Sequence, residues 1–106
     1  MHSVILSELA GEKLDLVLDY LIEEWSQKSS EAFSEKFEEK LKHIALFPES
    51  CIKSKKHFNL HICIVTKQTS FLYRILKERI EVITVFDNRS SNKSIRKEIR
   101  KYYGHI

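Results

Sequence analysis

Phe71-Leu72-Tyr73-Arg74-Ile75-Leu76-Lys77-Glu78-Arg79-Ile80-Glu81-Val82-Ile83-Thr84-Val85-Phe86 decides how this chain folds. Two runs rich in β-branched and aromatic residues, Phe71–Leu76 and Ile80–Phe86, flank the polar Lys77-Glu78-Arg79. That is the composition of two strands joined by a short turn. A third such run, Asn59–Val65, lies upstream across Lys67-Gln68-Thr69-Ser70. Together the three runs predict an antiparallel meander.

Further upstream the apolar period changes from strand-like to helical. Leu14, Val17, Leu18, Leu21, Ile22 and Trp25 recur on one helical face, and Ser7-Glu8 supplies an N-cap hydroxyl and an acidic first turn. A helix is expected from about Glu8 to Ser26. Gln27-Lys28-Ser29-Ser30 breaks the pattern, and Phe33, Phe37, Leu41 and Ile44 resume it up to about Phe47, where Pro48 stops the helix. So short a link makes the two helices an antiparallel hairpin with one apolar face, which the meander would cover. Trp25 and the helical Phe residues are expected in that core.

The ends complete the plan. Ser3-Val4-Ile5-Leu6 reads as a short edge strand whose partner the period does not identify. After Asp87-Asn88-Arg89 and a polar stretch, Ile95, Ile99 and Tyr102 can line a short, very basic terminal helix. The expected class is α+β: an N-terminal strand, a helical hairpin packed on a twisted, mainly antiparallel sheet, and a C-terminal helix, all in one domain over residues 1–106.

Composition narrows the function classes. With 106 residues, 42% hydrophobic and 31% charged, and only two Gly and one Pro, the chain is neither disordered, collagen-like nor loop-dominated. Cys51 and Cys63 are too few and too far apart for a zinc ribbon or a CxxC redox pair, and Cys63 is expected to be a small buried hydrophobe. A reducing cytoplasm is the expected location, since no apolar run reaches bilayer-spanning length and the start lacks the pattern of a signal peptide. His2, His43, His57, His61 and His105 show no ligand spacing, so no metal and no cofactor is expected.

The net charge of +3 conceals an asymmetry. Residues 1–52 carry five Lys against eleven acids, a net −6, while residues 53–106 carry thirteen Lys or Arg against four acids, a net +9. A basic half of this kind suits an anionic partner, because its field raises encounter rates and adds sequence-independent affinity for polyanions.

Several strings, taken in order, resemble the RelE/ParE superfamily of bacterial toxins, the poison halves of type II toxin–antitoxin pairs, often described as plasmid-stabilisation proteins. They are Val4-Ile5-Leu6-Ser7-x-x-Ala10 entering the first helix, Leu46-Phe47-Pro48 closing the second, Phe71-Leu72-Tyr73-Arg74-Ile75, and Ile83-Thr84-Val85-Phe86-Asp87-Asn88-Arg89. The resemblance covers most of the chain. It implies a helical hairpin against a twisted sheet with a working concave face, and a cognate antitoxin that neutralises the toxin. It also implies one of two activities: RelE-like members cut messenger RNA at the ribosome, and ParE-like members inhibit DNA gyrase.

The candidate residues divide along that line. RelE-like cleavage uses cations around the phosphate and general acid/base groups near the ribose 2′-hydroxyl. Aligned on Tyr73 and Arg89, the two RelE-type strand lysines fall on His61 and Cys63, and the middle arginine falls on Ser70. Arg89 is kept, whereas the tyrosine position falls near Ile95, with only Tyr102 and Tyr103 further on. These changes favour the ParE-like side. Arg89, Lys67 and His61 remain the candidate catalytic set of the alternative, a rewired, metal-independent ribonuclease; a third reading is an inactive fold member that only binds. Lys53, Lys55 and Lys56, with Arg96, Lys97 and Arg100 on the terminal helix, are the candidate contacts for nucleic acid or for an acidic partner.

Overall fold

The computed structural model describes residues 1–104 and 106. In chain order it contains β1 (Ser3–Leu6), α1 (Glu8–Glu24), α2 (Gln27–Leu46), β2 (Lys53–Ser54), a 3-10 turn (Lys55–His57), β3 (Leu60–Ile64), β4 (Thr69–Leu76), β5 (Arg79–Asp87) and α3 (Asn92–Tyr103). The sheet order is β1-β5-β4-β3-β2, antiparallel throughout except where β1 runs parallel to β5. This identifies the partner of the first strand. A parallel neighbour needs a long crossover, and the hairpin and meander between β1 and β5 supply it.

The meander forms as its composition predicts, with one adjustment at each end. β4 begins at Thr69, two residues before the apolar run, because Thr66 Oγ1 accepts from the Gln68 and Thr69 amides at 3.3 and 3.1 Å and completes the turn early. β5 begins at Arg79, paired with Leu76 across the Lys77-Glu78 turn. A bulge interrupts the register, so that Tyr73 faces Val82 while Leu72 faces Thr84. Ser7 docks at this bulge: its amide donates to Val82 O at 3.0 Å and its hydroxyl donates to Ile83 O at 2.7 Å while accepting from Ala10 N at 2.9 Å. One residue therefore ends β1, caps α1 and fastens both to β5.

The helical hairpin departs from the sequence reading at its link. Gln27–Ser30 is helical rather than a break, because Ser26 caps α2 by accepting from Ser29 N at 3.0 Å and Ser30 Oγ donates to Leu18 O at 3.2 Å. The serines that look like a loop are a cap and an interhelical clasp. Trp25 is corrected too: it is the C-cap of α1, off the helical stripe, and 73% exposed. Phe33 and Phe37 are buried as expected, whereas Phe47, at the C-cap of α2, is exposed.

Strand alternation divides the core into two layers. Phe71, Tyr73, Ile80, Val82, Val85 and Cys63 face the hairpin and meet Ala10, Phe33, Phe37 and Ile44. Leu60, Leu72, Ile83 and Phe86 face the other way and are covered by Ile95 and Ile99 of α3, with Leu9 of α1 at the margin. Ile95 and Ile99 are the buried residues of this twelve-residue helix, each worth about 1.5–3 kcal/mol when fully buried, and they form its apolar contact with the sheet.

Candidate partner and nucleic-acid interface

The open end of the sheet is built from two turns clamped by one side chain. Asn88, just after β5, accepts from Ser70 Oγ at 2.6 Å, donates through Nδ2 to Lys67 O at 2.9 Å, and donates its amide to Gln68 O at 2.7 Å. It thereby fixes the Lys67 turn beside the Arg89 turn, and both cations are exposed at the same rim. Arg89 is not free of partners. Its amide donates to Asp87 Oδ1 at 2.7 Å, and its guanidinium reaches the same carboxylate through Nε at 3.1 Å and Nη2 at 2.8 Å. The hydrogen bonds from Arg89 hold the Asp87 carboxyl down at about 2, and the carboxylate in turn raises the guanidinium pKa.

His61 is not at this rim. On β3 it is paired with Tyr73 of β4, four residues along that strand from Thr69, or about 13 Å from the rim at the usual strand rise. Its ring is 6% exposed, stacks on Tyr73 at 4.9 Å between centroids, and donates from Nδ1 to Cys51 O at 2.7 Å. The carbonyl can only accept, so the neutral ring carries its proton on Nδ1. Strand alternation does place His61 opposite Leu60 and Ile62, as read from the sequence, but the loop 48–51 covers its face. Arg89 and Lys67 are thus brought together and His61 is kept apart.

The other positions aligned with RelE-type cations are equally enclosed. Cys63 is 4% exposed in the hairpin-side core and Ser70 is 1% exposed beneath Asn88. Burial pushes the Cys63 thiol up to about 12, so it stays protonated at neutral pH.

The second basic surface joins two segments distant in sequence. Lys53, Lys55 and Lys56, candidate contacts from the sequence, are exposed on β2 and the 3-10 turn. Arg96 Nη1 donates to Lys56 O at 3.0 Å, and the Arg100 guanidinium lies over the Phe58 ring at 5.2 Å. These contacts dock α3 on the 3-10 turn, so that Arg96 and Arg100 lie next to the segment carrying the exposed Lys55 and Lys56, with Lys97 also exposed on α3. Phe58 and Asn59 both have positive φ, 58° and 61°, and this tight reversal turns the chain from the 3-10 turn into β3. Lys53 lies apart, on the edge strand, and lines a groove with His2, Glu49, His61 and Arg74.

Three groups escaped the sequence reading. Asn88 lies inside a quoted string, but nothing local shows that it bridges two turns. Glu81 receives Arg74 at 2.7 and 2.8 Å and Tyr103 OH at 3.0 Å, fastening α3 to the meander, while Arg74 lies 5.5 Å from the centre of the Tyr103 ring. The cross-strand register would have shown the Arg74–Glu81 pair, since the two residues are directly opposite. His57 is buried against Phe86, with Nδ1 hydrogen-bonded to Ser54 at 2.8 Å and Nε2 without a partner. Among the described residues no group of three or more His, Cys, Asp or Glu side chains is arranged to hold a metal ion, and His105 lies outside them.

Compared with solved structures, the chain superposes on a chain of the chromosomal ParDE TA system from P. aeruginosa, with a TM-score of 0.70 and 12% identity, over 82% of this chain and 96% of that one. The fold is RelE/ParE-like. The superposition spans nearly all of the ParDE chain, so the two chains share an overall fold. No protein-family model matches the sequence, and no curated protein matches it. No helix among the described residues is long and apolar enough to cross a membrane.

Proposed function

We propose that this chain is the toxin of a bacterial type II toxin–antitoxin pair, neutralised by a cognate antitoxin in the cytoplasm and acting on DNA gyrase in the ParE-like manner. The RelE/ParE-like fold supports the toxin reading. The choice of target rests on one observation: the three positions aligned with RelE-type cations hold His61, Cys63 and Ser70, all buried and none presenting a cation to a phosphate. What the chain presents instead is a basic surface of Lys55, Lys56, Arg96, Lys97 and Arg100, with Lys53 on the neighbouring edge. That surface suits an acidic antitoxin segment or DNA held by gyrase.

A second reading, a metal-independent ribonuclease, is favoured only by the pair of exposed cations, Arg89 and Lys67, at one rim. The purified chain should be tested side by side in a gyrase supercoiling reaction and in a translation reaction containing a defined messenger. Blocked supercoiling with intact messenger is the expected result. Messenger cleavage that is lost in Arg89→Ala would overturn the gyrase assignment, and antitoxin binding with neither effect would leave only a binding module.

A further inference from the structure

The two cysteine thiols lie outside the proposed target surface, and the strand register brings them together. β2 and β3 pair Lys53 with His61 and Ser54 with Leu60, and the Ile62 amide donates to Ile52 O at 3.0 Å, extending the same register. One step further, Cys51 lies opposite Cys63. The Ile52–Ile62 pair is hydrogen-bonded, so Cys51–Cys63 occupies the adjacent non-hydrogen-bonded site, where Cα atoms stand about 4.5 Å apart and side chains approach closely. That separation lies within the range a disulfide spans, roughly 4.4–6.8 Å. Both side chains pack in the same hairpin-side cluster, the thiols are near enough to interact, and both are free.

We propose that Cys51 and Cys63 are a reversible cross-link site, oxidised by thiol–disulfide exchange with a low-molecular-weight disulfide such as oxidised glutathione. Cys51 is half-buried and Cys63 is buried, so Cys51 reacts first. Its thiolate attacks one sulfur of the small disulfide, forms a mixed disulfide and expels one thiolate. Cys63, deprotonated, then attacks Cys51 Sγ, the mixed S–S bond breaks, and the second small thiolate leaves. The two thiolates take up the two protons given up by the cysteines: one disulfide is reduced to two thiols as the protein dithiol is oxidised. Burial holds the Cys63 thiol protonated, so the second step quickens as pH rises.

Little movement is needed. The loop is already pinned by His61 Nδ1 on Cys51 O and by Tyr73 OH on Pro48 O, each at 2.7 Å. The bond would close a loop containing Lys53, Lys55 and Lys56, fixing the lysine-bearing edge to β3 and restricting the unfolded chain.

The full chain, reduced and then incubated with excess oxidised glutathione, should lose the mass of two hydrogens, resist alkylation at both cysteines, yield a peptide joining Cys51 to Cys63, and gain roughly 10 °C in Tm that dithiothreitol reverses. Cys63→Ala should instead stop at one glutathionyl group on Cys51, and Cys51→Ser should remain unmodified while folded. A wild-type chain that stays a dithiol, accumulates the mixed disulfide without closing, or cross-links between molecules would overturn the proposal. These readouts need no toxin activity, so they stand apart from the proposed function.

Discussion

Arg89 and Asp87 grip each other at two points at the open end of β5, Nη2 to Oδ2 at 2.8 Å and Nε to Oδ1 at 3.1 Å. The pair is solvent-exposed, with the Arg89 side chain 79% accessible, so its worth lies in positioning the guanidinium rather than in stability. Arg89→Ala should let the Asp87 carboxyl rise from about 2 towards its ordinary 3.8, as read by carboxyl-carbon NMR titration. A folded pKa below the unfolded one gives stability that is complete above 3.8 and lost as pH falls towards about 2. Screening keeps that contribution small, and the variant should unfold at nearly the wild-type denaturant midpoint at pH 7.

His57 should make stability depend on pH in the opposite part of the scale from most carboxylates. Burial lowers its pKa from 6.5, with Arg96 and Lys56 adding repulsion and the Asn92 side chain opposing them. The unfolded chain therefore binds a proton that the folded chain refuses. Stability is complete above 6.5 and declines as pH falls towards the lowered folded value. His57→Gln should flatten this decline between pH 7 and 5 in urea titrations, and an unchanged slope would remove His57 as its source.

α3 should be held mainly by its apolar stripe. Ile99→Ala empties a fully buried site between α3 and the sheet and should cost about 2–5 kcal/mol in denaturant unfolding. Breaking the Lys13–Glu98 ion pair, 3.1 Å long with both side chains partly exposed, should cost no more than about 1 kcal/mol.

Tyr73 anchors the loop that covers His61. Its hydroxyl donates to Pro48 O, and burial raises its pKa well above the ordinary tyrosine value. Tyr73→Phe keeps the stack on His61 and removes one buried hydrogen bond, for an expected loss of about 1 kcal/mol. It should also speed amide exchange at Ile62, whose donor bonds the same loop at Ile52 O.

The hairpin and meander were legible because their apolar periods are long and belong to local elements. β2 was not, because two residues, Lys53 and Ser54, carry no alternation and pair only through the reversal at Phe58 and Asn59. Trp25 was misplaced because helical spacing continues on paper through a residue that has left the helix. At the site, meander order alone puts Lys67 and Arg89 at one rim. Alternation assigns His61 a face but not what covers it, and that cover is the Cys51 loop. Asn88 and the Arg74–Glu81–Tyr103 cluster depend on register and on the docking of α3, which no local pattern encodes.

The central claim is that this RelE/ParE-like chain is a toxin silenced by a cognate antitoxin. Its most direct test is bacterial growth after induced expression of the chain, alone and together with the product of the adjacent gene. Growth arrest relieved by co-expression is the predicted result. Unimpaired growth of cells that accumulate the folded chain, or arrest that the neighbouring product does not relieve, would contradict it.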